Sequence, residues 1–131
     1  YGSDPPLTPC GKKRSESLSN FLKDVPLEVI YSTDYIRTKN TALPTAQSKG
    51  LNIQKYDGEV LEDFSKLLLR RKKNALVVGH SNTTGVLAGL LSGQEIGEFD
   101  LDIYDRIYQV VLRNKRGRLH VLHTAFICNP E

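Results

Sequence analysis

The first part of the chain has apolar side chains at helical spacing. They are separated by three or four residues, at Leu18, Phe21, Leu22 and Val25. This spacing predicts a helix with one buried face, since residues three and four apart lie on the same side of a helix. Thr8 can serve as its N-cap and Pro9 as its first residue, because both residue types are favoured at those positions.

A strand and a second helix are predicted next. The run Leu27–Tyr31 has strand character, and the side-chain oxygens of residues 32–34 can cap a helix that begins near Tyr35. Pro44 predicts a kink or restart just before it, since proline cannot donate the helical hydrogen bond. Gly50 is expected to close this segment.

The middle of the chain predicts a further strand–helix–strand–helix order. Leu51–Tyr56 is expected to be extended, and the next helix is expected to end in the basic run Arg70–Lys73. Its buried face is predicted from Val60, Leu61, Phe64, Leu67 and Leu68. Ala75–Val78 is continuously apolar, which is typical of a strand buried on both faces at the centre of a parallel sheet. The last helix ends before Gly93, and its buried side is predicted to hold Val86, Leu87, Leu90 and Leu91.

The last third has strand character. Ile107–Leu112 and Arg118–Phe126 flank a turn at Asn114–Gly117, which predicts an antiparallel hairpin. Alternating strands and helices followed by a hairpin predict an α/β fold with three layers, α/β/α, around a mostly parallel central sheet. We expect a single domain over residues 1–131.

Composition narrows the class of protein. The chain has 131 residues, 39% hydrophobic and 25% charged, which suits one soluble domain with one core. There is no apolar run long enough to span a membrane and no secretory-signal pattern at the first residues.

The net charge of +3 comes with basic clusters that lack interleaved aromatic residues, so nucleic acid is not an expected partner. Solvated surface groups are the simpler interpretation, and a small anionic substrate is compatible with the same charge. Cytoplasmic, secreted and periplasmic locations stay open, with the cytoplasm favoured.

The cysteines and histidines do not form a metal-binding pattern. Cys10 and Cys128 could form a disulfide bond or remain two buried thiols. His120 and His123 are three positions apart, an odd spacing, so they point to opposite faces of a strand and cannot chelate one metal together. We expect no metal site in the chain.

Two segments can supply an anion site at the carboxyl edge of the sheet, where ligands of open α/β sheets bind. Arg37 lies in the first turn of the helix after the Leu27–Tyr31 strand, where its guanidinium and the helix N-terminus could bind phosphate together. His80 follows the strand Ala75–Val78 and could donate a hydrogen bond, move a proton or attack phosphorus. Each residue also has a simpler interpretation, a surface ion pair for Arg37 and a structural hydrogen bond for His80.

The order of three motifs resembles the histidine phosphatase superfamily, also called phosphoglycerate mutase-like. The motifs are Asp4-Pro5-Pro6-Leu7-Thr8-Pro9-Cys10-Gly11, then the segment from Ile30 to Ala42 that contains Ser32-Thr33-Asp34 and Arg37, and then Val77-Val78-Gly79-His80-Ser81-Asn82-Thr83. Tyr104-Asp105 and the strand after them resemble the end of that family's domain. The resemblance spans nearly the whole chain.

The resemblance implies a phosphate pocket of two arginines and two histidines, a covalent phosphohistidine intermediate, and no metal or cofactor. Arg37 matches the second arginine of that pocket, and His80 the second histidine, which holds the phosphoryl oxygens. Ser81 and Asn82 would line the same pocket. Asp57 or Glu59 could supply the general acid; their simpler interpretation is an N-cap and a first-turn acid of the next helix.

One part of the family pattern has no counterpart in the chain. The Arg-His-Gly triplet that carries the first arginine and the nucleophilic histidine should precede the Pro-Leu-Thr segment, and nothing here matches it. Either the natural protein has an upstream strand that ends in Arg-His, or the chain is a degenerate relative. We expect the upstream strand, because loss of a central strand would leave backbone groups of its neighbours unpaired in the core.

The sequence therefore predicts a metal-independent phosphatase that acts on a phosphomonoester or a phosphohistidine protein. Only about 25 residues separate Gly50 from the strand Ala75–Val78, so we expect an open pocket without a large lid. The alternative is a phosphate-binding pseudophosphatase or interaction domain. A nucleotide-binding module is less favoured, because neither a G-x-G-x-x-G nor a P-loop pattern is present. The oligomeric state stays open.

Overall fold

Helix α1 spans Pro9–Phe21 in the computed structural model, which describes residues 6–93, 106–113 and 116–123. The capping prediction is confirmed, since Thr8 Oγ1 accepts a hydrogen bond from the Gly11 amide at 3.0 Å and Pro9 is the first helical residue. The predicted buried face is wrong in part: Leu22 is buried, but Phe21 is 52% exposed. Val25 is also exposed, because the helix ends before it and the buried side of α1 includes Ser15 instead.

The parallel sheet has three strands in the order β2-β1-β3. Strand β1 spans Val29–Ser32, β2 spans Ile53–Lys55 and β3 spans Ala75–Val78. The central strand is β1, whose four residues are all buried. The prediction that Ala75–Val78 lies at the centre is therefore wrong for the described sheet: β3 is at its edge and is half-buried. A continuously apolar run cannot by itself distinguish these two positions.

Helix α2 spans Ile36–Lys49 and packs on all three strands, and α1 packs against α2. The helix continues through Pro44, so the predicted restart does not occur. Gly50 ends the helix with φ of 64°, the left-handed conformation that glycine adopts without a steric penalty. The core beneath α2 contains Ile30, Ala42 and Ala46, packed with half-buried residues of the strands and of the α2–β2 connection.

A second group of elements starts with helix α3, which spans Leu61–Arg71 and buries Phe64. Helix α4 spans Ser81–Ser92 and packs against α3 and against the strands β4 (Arg106–Arg113) and β5 (Arg116–His123). The predicted buried side of α4 is only partly right. Leu87 is buried with Gly85 and Ala88, whereas Val86 and Leu90 are exposed. Small residues on that side let neighbouring elements approach the helix backbone closely.

The C-terminal hairpin is confirmed. Strands β4 and β5 pair antiparallel, with Gln109 opposite His120 and Arg113 opposite Arg116 at the closed end. Residues 124–126 of the second predicted strand lie outside the described residues. The α/β class, the parallel sheet and the antiparallel hairpin thus agree with the sequence prediction.

The described residues form two compact units. The first contains residues 6–56 and 73–78, with α1, α2 and the parallel sheet; the second contains residues 57–72, 79–93, 106–113 and 116–123. The expectation of a single domain over residues 1–131 stays a prediction. Within the described ranges, none of the helices has the length and hydropathy needed to span a membrane.

Candidate functional site

The turn between β1 and α2 is built on buried hydroxyl groups. Thr33 Oγ1 donates to Thr38 Oγ1 at 2.9 Å, and Thr38 Oγ1 donates to the carbonyl oxygens of Thr33 at 3.0 Å and Tyr35 at 3.1 Å. Both threonines are at most 5% exposed. The Thr33 amide also donates to the Val78 carbonyl at 3.3 Å, which connects this turn to the end of β3. Side-chain hydrogen bonds therefore fix the backbone that carries Arg37.

Arg37 is the second residue of α2 and is exposed. Among the described residues, its guanidinium makes no hydrogen bond or ion pair. The nearby carboxylate of Asp34 binds two lysines instead: Oδ1 lies 3.0 Å from Lys39 Nζ and Oδ2 lies 3.6 Å from Lys55 Nζ. The simpler interpretation of Arg37 as a surface ion-pair residue is therefore not supported in the described part of the chain.

The ion cluster around Asp34 was not predicted from the sequence. The hydrogen bond from Lys39, with the positive charges of Lys39 and Lys55, lowers the pKa of the Asp34 carboxyl group below its usual value. Lys55 ends β2 directly beside Ser32, which ends β1. The position of Lys55 beside Ser32 follows from the pairing of β1 with β2, which the sequence alone does not indicate.

The turn between β3 and α4 is held by a local cap. His80 is the N-cap residue of α4 and is half-buried. Its amide donates to Thr83 Oγ1 at 3.2 Å, and the same hydroxyl donates back to the His80 carbonyl at 3.1 Å. Ser81 and Asn82 are the first two residues of the helix. The prediction that this segment joins a strand end to a helix N-terminus is confirmed.

Asp57 lies in the turn before α3. Its Oδ1 accepts a hydrogen bond from the Glu59 amide at 2.9 Å, and its side chain is exposed. The N-cap of α3 is Val60, and the acids of its first turn are Glu62 and Asp63. The interpretation of Asp57 and Glu59 as the N-cap and first-turn acid of this helix is therefore wrong, and the role of Asp57 as general acid stays a prediction.

The predicted site residues are divided between the two units. Arg37 belongs to the first unit, while Asp57, His80, Ser81 and Asn82 belong to the second. Within the first unit, the ends of β1 and β3 are direct neighbours, with Ser32 paired to Val78. The Arg37 turn begins at the end of β1, and a single residue, Gly79, separates the end of β3 from His80 in the sequence.

The remaining titratable residues do not extend the site. Cys10 is disulfide-bonded, which favours the first of the two alternatives for the cysteines, and Cys128 lies outside the described residues. Burial raises the pKa of the Tyr56 hydroxyl to about 12. No group of three or more His, Cys, Asp or Glu side chains that could hold a metal ion occurs in the described part of the chain.

Comparison with known proteins shows which family and which folds this chain resembles. The family model of the histidine phosphatase superfamily (branch 1) matches residues 1–62, a range that includes Arg37. The resemblance to this superfamily predicted from the sequence is thus confirmed. No curated protein sequence matches the chain.

Solved structures of three phosphatases resemble the chain in fold. An alpha-ribazole phosphatase from Shigella flexneri has a TM-score of 0.73 at 13% identity, covering 100% of this chain and 91% of its own. A candidate alpha-ribazole-5'-P phosphatase from Escherichia coli K-12 has a TM-score of 0.76 at 15% identity, with coverages of 99% and 90%.

The third is a mycobacterial glucosyl-3-phosphoglycerate phosphatase in complex with inorganic phosphate. Its TM-score is 0.75 at 12% identity, with 92% of this chain and 88% of that chain covered. All three carry phosphatase in their names, which agrees with the enzyme class predicted from the sequence. At these identities the likeness establishes the fold.

Proposed function

We propose that the protein is a metal-independent phosphatase that hydrolyses a phosphomonoester or a phosphohistidine through a phosphohistidine intermediate. The family match and the phosphatase fold support the class. The observation that carries the proposal furthest is the state of Arg37. Its guanidinium has no protein partner among the described residues, while the neighbouring Asp34 carboxylate is occupied by Lys39 and Lys55. An arginine in that state, in the first turn of a helix, is available to bind a phosphoryl group through two parallel hydrogen bonds.

The proposed reaction has two steps. A histidine nitrogen attacks phosphorus, the bond from phosphorus to the ester oxygen breaks, and Asp57 as general acid gives a proton to the leaving oxygen. Water then attacks phosphorus, the bond from phosphorus to the histidine nitrogen breaks and returns its electron pair to that nitrogen, Asp57 takes a proton from the water, and inorganic phosphate leaves. We propose that the attacking histidine lies in the strand expected upstream of Tyr1, as the family resemblance implies, and the tests below therefore use a protein that includes that strand.

Arg37 and His80 would bind the phosphoryl oxygens, with Ser81 and Asn82 at the N-terminus of α4 completing the pocket. Charge builds up on these oxygens as phosphorus becomes five-coordinate, so fixed donors stabilise the transition state more than the ground state. The helix N-terminus after His80 contributes in the same sense, because its dipole favours negative charge.

The first test is phosphate release from an aryl phosphate by the full-length protein in the presence of a metal chelator. We expect turnover, and we expect Arg37→Ala or His80→Ala to lower kcat/KM by about 100-fold to 1000-fold, the effect of removing one donor to a transition-state oxyanion. Arg70→Ala is the matched control, since it removes the same charge from an exposed position in the last turn of α3. Its effect should stay within about twofold, as for other surface substitutions.

Three results would decide between the candidate functions. A phosphoenzyme that survives alkali and decays in acid is expected for a nitrogen-bound phosphoryl group. Phosphate binding without turnover in the full-length protein would point to the pseudophosphatase instead. Equal rates for Arg37→Ala, His80→Ala and the Arg70→Ala control would refute the assignment of both residues.

A further inference from the structure

Three strand ends stand side by side at the carboxyl edge of the sheet in the first unit. Parallel pairing sets Ser32 of β1 beside Lys55 of β2 and beside Val78 of β3. Neighbouring strands lie about 4.8 Å apart, so the end of β2 lies about 10 Å from the end of β3, across β1. An elongated ligand that starts near the end of β3 and follows this edge would therefore reach Lys55.

Cations outnumber acids at this edge. Residues 31–39 and 55–56 contain three cations, Arg37, Lys39 and Lys55, and a single acid, Asp34. The two lysine ammonium groups flank the two oxygens of the Asp34 carboxylate, at 3.0 and 3.6 Å. One carboxylate cannot neutralise both lysines, so this cluster keeps a net positive charge.

The lysines are also accessible to a ligand. The side chains of Lys39 and Lys55 are 39% and 67% exposed, and that of Asp34 is 59% exposed. Ion pairs in such a solvated position hold their partners weakly. An anionic group of a ligand can therefore approach the exposed side of both ammonium groups without first breaking a strong interaction.

We infer that Lys39 and Lys55 form a second anion subsite, which binds a negatively charged group of the substrate other than the phosphoryl group that is transferred. The inference rests on the proposed function and adds a substrate class to it. The preferred substrates are elongated phosphate esters with a second anionic group, a carboxylate or another phosphate, at the far end. Lys39 and Lys55 act in substrate selection and take no part in the chemical step.

The test compares three esters that differ only at the end remote from the reacting phosphate. They are tetramethylene glycol monophosphate, the corresponding phosphooxybutanoate and tetramethylene glycol bisphosphate. For the full-length protein we expect kcat/KM to be about tenfold higher for the two esters with a second anionic group than for the glycol monophosphate, the size expected for two solvated charge contacts. Which of the two is preferred identifies the second group as carboxylate or phosphate.

Lys39→Gln and Lys55→Gln should each lower the ratio of kcat/KM between the esters with a remote anionic group and the glycol monophosphate by about threefold, half of the total effect on a logarithmic scale. Added salt should reduce the same ratio, because exposed charges are screened. The matched control is Lys23→Gln, which removes an exposed lysine in the first unit. The Lys23 carbonyl accepts a hydrogen bond from Lys49 Nζ at 3.3 Å, so Lys23 lies near the C-terminal end of α2, away from the Arg37 end.

The outcomes separate this inference from the proposed function. Turnover of all three esters with the same ratio in the wild type and both glutamine variants would overturn the second subsite and leave the phosphatase intact. Turnover of none would refute the phosphatase, and equilibrium binding of the same esters would then decide the subsite. In that case, tighter binding of the charged esters that is lost in the glutamine variants supports it, and equal binding overturns it.

Discussion

The turns after β1 and after β3 both connect a strand of the parallel sheet to a helix, but they are stabilised differently. The turn after β1 has no side-chain cap on α2; two buried hydroxyl groups, Thr33 and Thr38, tie its backbone together. The turn after β3 is held by one half-buried residue, Thr83, which bonds both the amide and the carbonyl of His80. The first turn therefore depends on the core of its unit, and the second on a local cap.

This difference bears on how each turn could serve a phosphate site. Buried hydrogen bonds fix the first turn while leaving Arg37 and its neighbouring lysines exposed above it. In the second turn the proposed phosphate-binding residue is itself the N-cap, so the geometry of His80 and the stability of the first turn of α4 depend on the same hydrogen bonds.

The largest effect on stability should come from shortening a core side chain beneath the first turn. Ile30 is fully buried in the central strand β1, and its partner in the register, Leu76 of the edge strand β3, is half-buried. Ile30→Ala should lower the free energy of unfolding by about 2–5 kcal/mol, as expected for a large-to-small change in a packed core. Leu76→Ala should cost about half as much, because less of its surface leaves water.

Urea unfolding of the two variants, followed by circular dichroism, checks this prediction. If Leu76→Ala lowered the free energy of unfolding as much as Ile30→Ala does, β3 would be as well packed as β1. That result would contradict the distinction between a central and an edge strand.

A smaller effect is expected from removing one hydroxyl group from each turn. Thr38→Val leaves Thr33 Oγ1 without the acceptor that it has at 2.9 Å, in a site that is at most 5% exposed. It should cost about 1–3 kcal/mol, the penalty for a buried polar group that loses its partner. Thr83→Val removes only a cap from a half-buried position and should cost about 1 kcal/mol.

The two valine variants are nearly isosteric with threonine, so their unfolding midpoints can be compared directly. Thr38→Val should lose more stability than Thr83→Val. If the cap positions His80, the order should be reversed for activity, so that Thr83→Val lowers kcat more than Thr38→Val while its far-UV circular dichroism is unchanged. Equal stability losses in the two variants would remove the distinction between a core-supported and a locally capped turn.

The sequence predicted best what short-range signals determine. Thr8, Pro9 and Gly50 end or begin helices because of their own backbone and side-chain chemistry, which needs no knowledge of the rest of the chain. The strand ends that carry Arg37 and His80 followed from the alternation of strands and helices and from the family resemblance. These predictions required only local patterns and their order.

What the sequence did not predict depends on pairing over long distances. The apolar run of β3 was assigned to the sheet centre, but strand order is set by which neighbours it meets. Val86 is exposed because α4 turns Gly85, Leu87 and Ala88 inward, a choice that hydrophobicity alone does not indicate. The cluster of Asp34 with Lys39 and Lys55 depends on the register that sets Lys55 beside Ser32.

The smallest effect concerns the pH dependence of the free energy of unfolding, and it is expected only at alkaline pH. The Tyr56 amide donates to the Ser32 carbonyl at 3.1 Å, and burial raises the pKa of the Tyr56 hydroxyl from 10 to about 12. Between these two values the unfolded chain loses this proton while the folded chain keeps it. The stabilisation is therefore complete below pH 10 and is lost progressively as pH rises toward 12. Tyr56→Phe should flatten this alkaline decline, because phenylalanine has no proton to lose. Urea midpoints measured on both sides of pH 10 check the prediction, and a decline of the same steepness in both proteins would show that Tyr56 titrates like an exposed tyrosine.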